Sequence, residues 1–354
     1  MATKKSKQAN NEYRRRLLLA VLLLIASSIF LGTATYAWFT ANQKVKISSI
    51  DVNVSTSSGI QISADGSNWK SVLINSDITG ASATYAAAVN QLPQQLEPVS
   101  TGGNVNSSGR LEMFLGQVTP NESTGDFILS ATQSVETNTT ASGKFIAFDI
   151  FLKNENAETL YMTNESAVTF RSSDTGIKNA TRVAFVILGH TTSSDTVANI
   201  RLLNDGTSSD VIIWEPNYDV HTADGVANAV SPYGITTLNT GSNNAWVPYS
   251  GVIADVPSSA NIKREQATEA LNPTYFLDVD PDIKTVEGYT AYQTLLPNNG
   301  LAAGVTKIRI YMWVEGQDVD CENNASGGEI RFDLQFSIIN PGGQSSQSTQ
   351  SSGS

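Results

Sequence analysis

From residue 44 onward apolar and polar residues alternate with a period of two, the spacing of strands with one buried face. In Lys44–Ser55 (KVKISSIDVNVS), Val45 and Ile47 share one parity and Ile50, Val52 and Val54 share the other. The buried face therefore switches at Ser48–Ser49, which predicts a β-bulge or a break between two strands. Gly59–Trp69 (GIQISADGSNW) reads as a short hairpin turning at Asp65-Gly66. In Gly143–Asn154, Ile146, Phe148, Ile150 and Leu152 form a large apolar face expected in the core, with Phe145, Ala147, Asp149 and Phe151 opposite. Thr181–Leu188 (TRVAFVIL) is almost continuously apolar, as a central strand covered on both sides should be. Two last runs close the pattern: Ile308, Ile310 and Met312 in one, Ile330, Phe332, Leu334 and Phe336 in the other.

Helical signals are few. Ser259–Leu271 has a serine cap, good helix formers and a stop at Asn272-Pro273, and Thr84–Leu92 is a second, weaker helical stretch. Gly, Ser, Thr and Asn fill the gaps between strands. The pattern predicts an all-β fold, a jelly-roll-like or Ig-like antiparallel β-sandwich with long decorated loops, spanning residues 38–340. Residues 341–354 (PGGQSSQSTQSSGS) have nothing to bury and are expected to be disordered.

The N-terminus breaks this rhythm. An uncharged apolar run from Leu17 to Ala37 follows Arg14, Arg15 and Arg16, the layout of a signal peptide or signal anchor, close to the ~20 residues that span a bilayer. Thr35 and Ala37 fit peptidase spacing, so cleavage between Ala37 and Trp38 is expected, with cleavage after Ala34 as second choice and retention as a membrane anchor as the alternative. Under either reading the arginines fix the cytoplasmic side, and the body lies at the extracellular face of the membrane, on the cell surface or secreted. Leu296–Gly300 (LPNNG) resembles a sortase signal, but Asn299 stands where threonine is needed and no apolar tail follows, so it reads as a turn.

Charge sharpens the division. The chain carries −11 overall, while its first sixteen residues carry +5, which leaves −16 on everything after them. Such an acidic body argues against nucleic-acid binding, which needs clustered lysine and arginine. A single cysteine, Cys321, forms no intramolecular disulfide and is read as a quiet loop or core thiol.

Catalytic chemistry finds little footing. The only histidines are His190 and His221, and no nucleophile elbow, zinc-protease pair or P-loop is present. Acids are plentiful enough for a carbohydrate-active enzyme, yet no pair stands out, so a non-enzymatic protein is expected. Cation binding has more to recommend it. Glu315, Asp318, Asp320 and Glu322 crowd four carboxylates into eight residues, a set that suits calcium. Asp278, Asp280 and Asp282 repeat the spacing more weakly, without the glycine and final glutamate of an EF-hand loop. Glu215, Asn217, Asp219 and His221 share one parity and suit either a metal or the wet face of an edge strand. Zinc is not expected from one cysteine and two distant histidines.

GTATYAWFTANQKV resembles the N-termini of Bacillota secreted surface proteins with signals of the SipW-dependent type, the TasA and camelysin class, while GIQISADG, RVAFVIL, WEPNYDVH and WVEGQDVDCENN resemble recurring blocks in uncharacterised surface proteins of that phylum. The resemblance touches about a quarter of the chain, which is longer than such subunits. It implies a jelly-roll-like sandwich able to self-associate into biofilm-matrix fibres by donating an N-terminal strand. The matching donor here is the run of Val45, Ile47, Ile50, Val52 and Val54, with pairing inside its own sheet as the other outcome. A membrane-tethered module binding glycan, protein or calcium is the second functional expectation.

Overall fold

The computed structural model describes residues 45–54, 59–120, 127–136, 143–170, 175–204, 211–223, 262–263, 281–316, 318, 320–321 and 329–340. The apolar leader, the Ala37–Trp38 junction and the 341–354 tail lie outside them. The strands run β1 (Val45–Val54), β2 (Gln61–Ser63), β3 (Val72–Leu73), β4 (Asn90–Gln91), β5 (Gln95–Leu96) and β6 (Ser100–Val105). They continue with β7 (Leu111–Pro120), β8 (Phe127–Ser134), β9 (Ile146–Asn154), β10 (Glu158–Met162), β11 (Ala167–Phe170) and β12 (Thr181–Thr191). The last are β13 (Val211–Glu215), β14 (Ile262–Lys263), β15 (Ile283–Lys284), β16 (Gln293–Leu301), β17 (Gly304–Val314) and β18 (Glu329–Ser337). Two six-residue helices, α1 (Asn75–Gly80) and α2 (Val197–Leu202), interrupt them.

The fold is the expected all-β sandwich. One seven-stranded sheet is ordered β16-β10-β18-β1-β3, with β11 on β18 and β5 on β1. The other is ordered β15-β13-β12-β17-β9-β2, with β4 on β9, and pairs mostly antiparallel. Between them lies the main core. Ile146, Phe148, Ile150 and Leu152 of β9, Ile308, Ile310 and Met312 of β17, and Val183 and Phe185 of β12 meet Ile330, Phe332, Leu334 and Phe336 of β18. All are essentially inaccessible, and each such side chain contributes about 1.5–3 kcal/mol by leaving water. Phe185 meets Phe336 edge-on at 6.0 Å across the two sheets.

The second face of β9 is buried too. Phe145 and Ala147 join Tyr311, Trp313, Ala184, Val186, Val99, Leu111 and Met113 in another apolar cluster. A third sheet, β14-β8-β7-β6, supplies Leu111 and Met113 to it, so β12 and β17 are covered on both sides. This is why their sequence reads as unbroken apolar runs rather than half-polar alternation.

The slip expected at Ser48–Ser49 is present: β1 pairs parallel with β18, and its register shifts between Ile47 and Ser49. The Asp65-Gly66 hairpin also forms, with Ile62 and Lys70 exchanging main-chain hydrogen bonds at 2.8 Å. Asp65 organises that turn by accepting from Ser67 N, Asn68 N and the side chains of Ser63, Asn68 and Thr84. Gly66, at φ 71°, takes the left-handed conformation the turn requires. The Leu296–Gly300 stretch bulges out of β16, with Asn298 and Asn299 left-handed, while Leu296 and Leu301 pair with Leu160 and Glu158 of β10.

One helical expectation fails, and a second is contradicted at the two residues of it that are described. Thr84–Leu92 is turns followed by β4, because Asn90 and Gln91 pair with Phe148 and Ala147 of β9. Ala88 and Val89 there fill two different apolar clusters, which a helix nine residues long could not do on propensity alone. Within Ser259–Leu271, Ile262–Lys263 is a strand parallel to β8, where sheet pairing overrides the helix-forming composition; the rest of that stretch lies outside the described residues.

Candidate functional site

Antiparallel pairing brings the start of β12 beside the ends of β13 and β17: Thr181 faces Val314, and Val183 faces Trp214. Arg182, Glu215 and Glu315 are thereby gathered at one edge of the sheet. Glu315 N donates to Ala180 O at 2.7 Å and Gly316 N to Val99 O at 3.0 Å, which pins the chain as it leaves β17. The following segment then folds Asp318 and Asp320 onto the same spot, on its way from β17 in one sheet to β18 in the other.

Arg182 is the hub. Its guanidinium lies 2.6 Å from Glu215 and 2.7 Å from Asp318, and all three side chains are buried. Asp320 is fully inaccessible and accepts four hydrogen bonds. Its Oδ2 takes Asn179 Nδ2 at 3.0 Å and His221 Nδ1 at 2.9 Å; its Oδ1 takes the Thr222 amide at 2.9 Å and hydroxyl at 2.8 Å. Asp318 Oδ1 accepts from Asp320 N at 2.9 Å. Glu315 is held by Trp313 Nε1 at 3.0 Å and by the Ser100 hydroxyl.

This arrangement is rich in negative charge. Burial, helped by the neighbouring Asp318, pushes the Glu215 carboxyl up to about 7 even against the pull of Arg182. Burial alone would lower His221, but the Asp320 hydrogen bond and the charges of Asp318, Asp320 and Glu215 outweigh it and raise its pKa. His221 Nε2 and Asn179 Oδ1 are buried with no hydrogen-bond partner.

A second ionic cluster lies further along the same strands. Arg309 of β17 grips Asp149 of β9, its direct cross-strand neighbour, with Nε at 2.6 Å and a terminal nitrogen at 3.1 Å. Its other nitrogen donates to Glu136 at 3.1 Å, and Tyr311 Oη donates to the same oxygen at 3.0 Å. Arg110 approaches Glu136 at 3.5 Å, and Lys307 approaches Asp149 at 3.5 Å. Burial would raise Asp149, yet Arg309 and Lys307 overcome it and hold the carboxyl below its ordinary range. Burial pushes Lys307 down.

Of the residues singled out by sequence, Asp318 and Asp320 converge, and they converge with Glu215 and His221, which lie about a hundred residues away in a separate stretch. The WEPNYDVH segment is not an edge strand: β13 stops at Glu215, and Asn217 turns the chain at φ 56°. Asp219 receives the Glu287 amide at 3.4 Å. Asp282 is exposed and accepts from Ile213 N at 2.9 Å. Glu322, Asp278 and Asp280 lie outside the described residues. Cys321 is buried in the main core, the quiet thiol expected. Arg182, Asn179 and Thr222 carry no motif. The available signal was a charge at the head of an otherwise apolar strand, which needs a buried carboxylate opposite it. The chain matches no family model, no curated protein and no solved structure.

Proposed function

We propose that this is an exported, non-enzymatic structural protein of the cell surface, a fibre or matrix subunit that assembles by exchanging its first strand between copies. The observation that carries this reading is the place of β1. It follows directly on the apolar leader and joins its sheet chiefly through main-chain pairing with β18, from Lys46 opposite Glu329 to Val54 opposite Phe336. The partner it completes is the last core strand of the described residues. A strand held in this way can be supplied equally well by a neighbouring copy in the same register.

The test is to express the whole gene in a Gram-positive host and sequence the N-terminus of the product. A start at Trp38 with heat-stable oligomers, lost when residues 45–54 are deleted and restored by adding a peptide of that sequence, supports the reading. An intact Met1 in the membrane fraction, with monomers only, sinks it.

A membrane-tethered binding module is the second reading. It is favoured by a cleft of about 350 Å³ lined by Asn68, Lys70, Ser76, Asp77 and Thr84, near the lower end of ligand-site volumes. Saturable binding of glycans by the monomer, abolished in Lys70→Ala, would favour it over the fibre.

A further inference from the structure

We propose that the cluster at the heads of β12 and β13 binds a divalent first-row transition ion of the Mn²⁺-to-Zn²⁺ range, with His221, Asp318 and Asp320 as ligands. One donor atom from each of these three residues lies within 4.8 Å of the other two. His221 Nδ1 and Asp320 Oδ2 are 2.9 Å apart, close to the edge of a coordination shell with bonds of about 2.1 Å.

Charge argues for the same occupant. Among the described residues, Arg182 alone serves both Glu215 and Asp318, Asp320 pairs only with His221, and Lys284 adds a weaker attraction at Glu215. Buried charge that is only partly compensated is costly, and a dication would offset it. A bare acceptor points the same way. Asn179 is 2% exposed and reaches Asp320 with its amide nitrogen, yet its Oδ1 has no donor. That buried carbonyl oxygen, set beside the carboxylates, lacks a donor and is available as a fourth ligand to a cation.

The identity of the ion follows from the donors. Imidazole nitrogen with carboxylate and amide oxygen suits Mn²⁺, Fe²⁺, Co²⁺ or Zn²⁺, whereas calcium takes six to eight oxygens and uses no imidazole. The histidine comes from a segment remote from the acidic run, so the site is different from a calcium loop made by residues 315–322 alone. It stands independently of the fibre reading.

The experiment uses the full chain in detergent, stripped with EDTA, and adds Zn²⁺, Mn²⁺ or Ca²⁺ while following thermal unfolding and calorimetric titration. Zn²⁺ or Mn²⁺ at a hundredfold excess over Kd should raise Tm by about 4 °C. Ca²⁺ at equal concentration should move it by less than about 1 °C. His221→Asn keeps an N–H for Asp320 but removes the imidazole, and should weaken binding about tenfold or more. Should that variant not fold, Asn179→Ala takes its place, with a several-fold loss expected. The proposal is overturned if no ion shifts Tm, if Ca²⁺ matches Zn²⁺ and Mn²⁺, or if the folded variant binds as tightly as the parent chain.

Discussion

The Arg182 and Arg309 clusters occupy neighbouring strands, β12 and β17, on the face of the sheet that also carries Trp313 and Tyr311. Their chemistry is otherwise opposed. Around Arg309 the cations Arg309, Lys307 and Arg110 match Asp149 and Glu136. The bidentate grip on Asp149 satisfies both of its oxygens, and the cations here outnumber the carboxylates, although Glu136 Oε2 is left without a partner. Around Arg182 one guanidinium serves two carboxylates, and a third is kept in place by the neutral donors Asn179 and Thr222 together with His221. The same fold thus holds one ion network with cations in surplus and another with carboxylates in surplus. A buried ion pair is therefore not a single kind of object, and its response to perturbation depends on which charge is in surplus.

Removing the hub of the cation-rich network should have the largest effect. Arg309→Met leaves Asp149 and Glu136 buried without their partner and should cost about 3–5 kcal/mol, read by denaturant unfolding at pH 7. A cost under about 1 kcal/mol would show that the network contributes little.

The pH response should separate the two clusters next. Glu215 sits near 7 in the fold against 4.5 when unfolded, so the native state holds more protons between those values, and stability falls as pH rises through that window. The magnitude is of order 3 kcal/mol, and Glu215→Gln should flatten the fall. Asp149 has the opposite sign. Its carboxyl is held low, so its contribution is present above the ordinary carboxylate range and is lost as pH drops below it. Unfolding curves from pH 3 to pH 8 that fell at neither end would contradict both assignments.

Smaller changes sharpen the same contrast. Thr222→Ala takes one hydroxyl from Asp320 and should cost about 1 kcal/mol by thermal unfolding. Lys70→Ala breaks the Lys70–Asp77 pair, whose lysine is half exposed, and should change stability by no more than about 0.5 kcal/mol. That residue should vanish in 1 M salt, whereas the Arg309 effect should persist.

Much of the sandwich was legible in the sequence because strand periodicity is local. Ile308, Ile310 and Met312 declare their face within a few residues, and so do Ile330 to Phe336, as the core confirms. Even the slip at Ser48–Ser49 shows in the parity of Val45 to Val54. Thr84–Leu92 misled because three consecutive alanines suggest a helix, whereas the decisive term is the pairing of Asn90 and Gln91 with a strand more than fifty residues away. The ionic clusters were legible only in halves. The acids of 315–322 were visible as a run, but nothing local tells that Asp320 meets His221 or that Asp318 meets Arg182. Such pairings depend on which strand ends the topology places together.

The parallel pairing of β1 and β18 has a mechanical consequence. Tension entering at the head of β1 and leaving at the tail of β18 runs along both strands, so it loads their ladder in shear. The contacts from Lys46–Glu329 to Val54–Phe336 then have to give way together, whereas antiparallel neighbours pulled from adjoining ends open one at a time. A chain pulled from the head of its first strand and the tail of its last would resist stretching best along that seam.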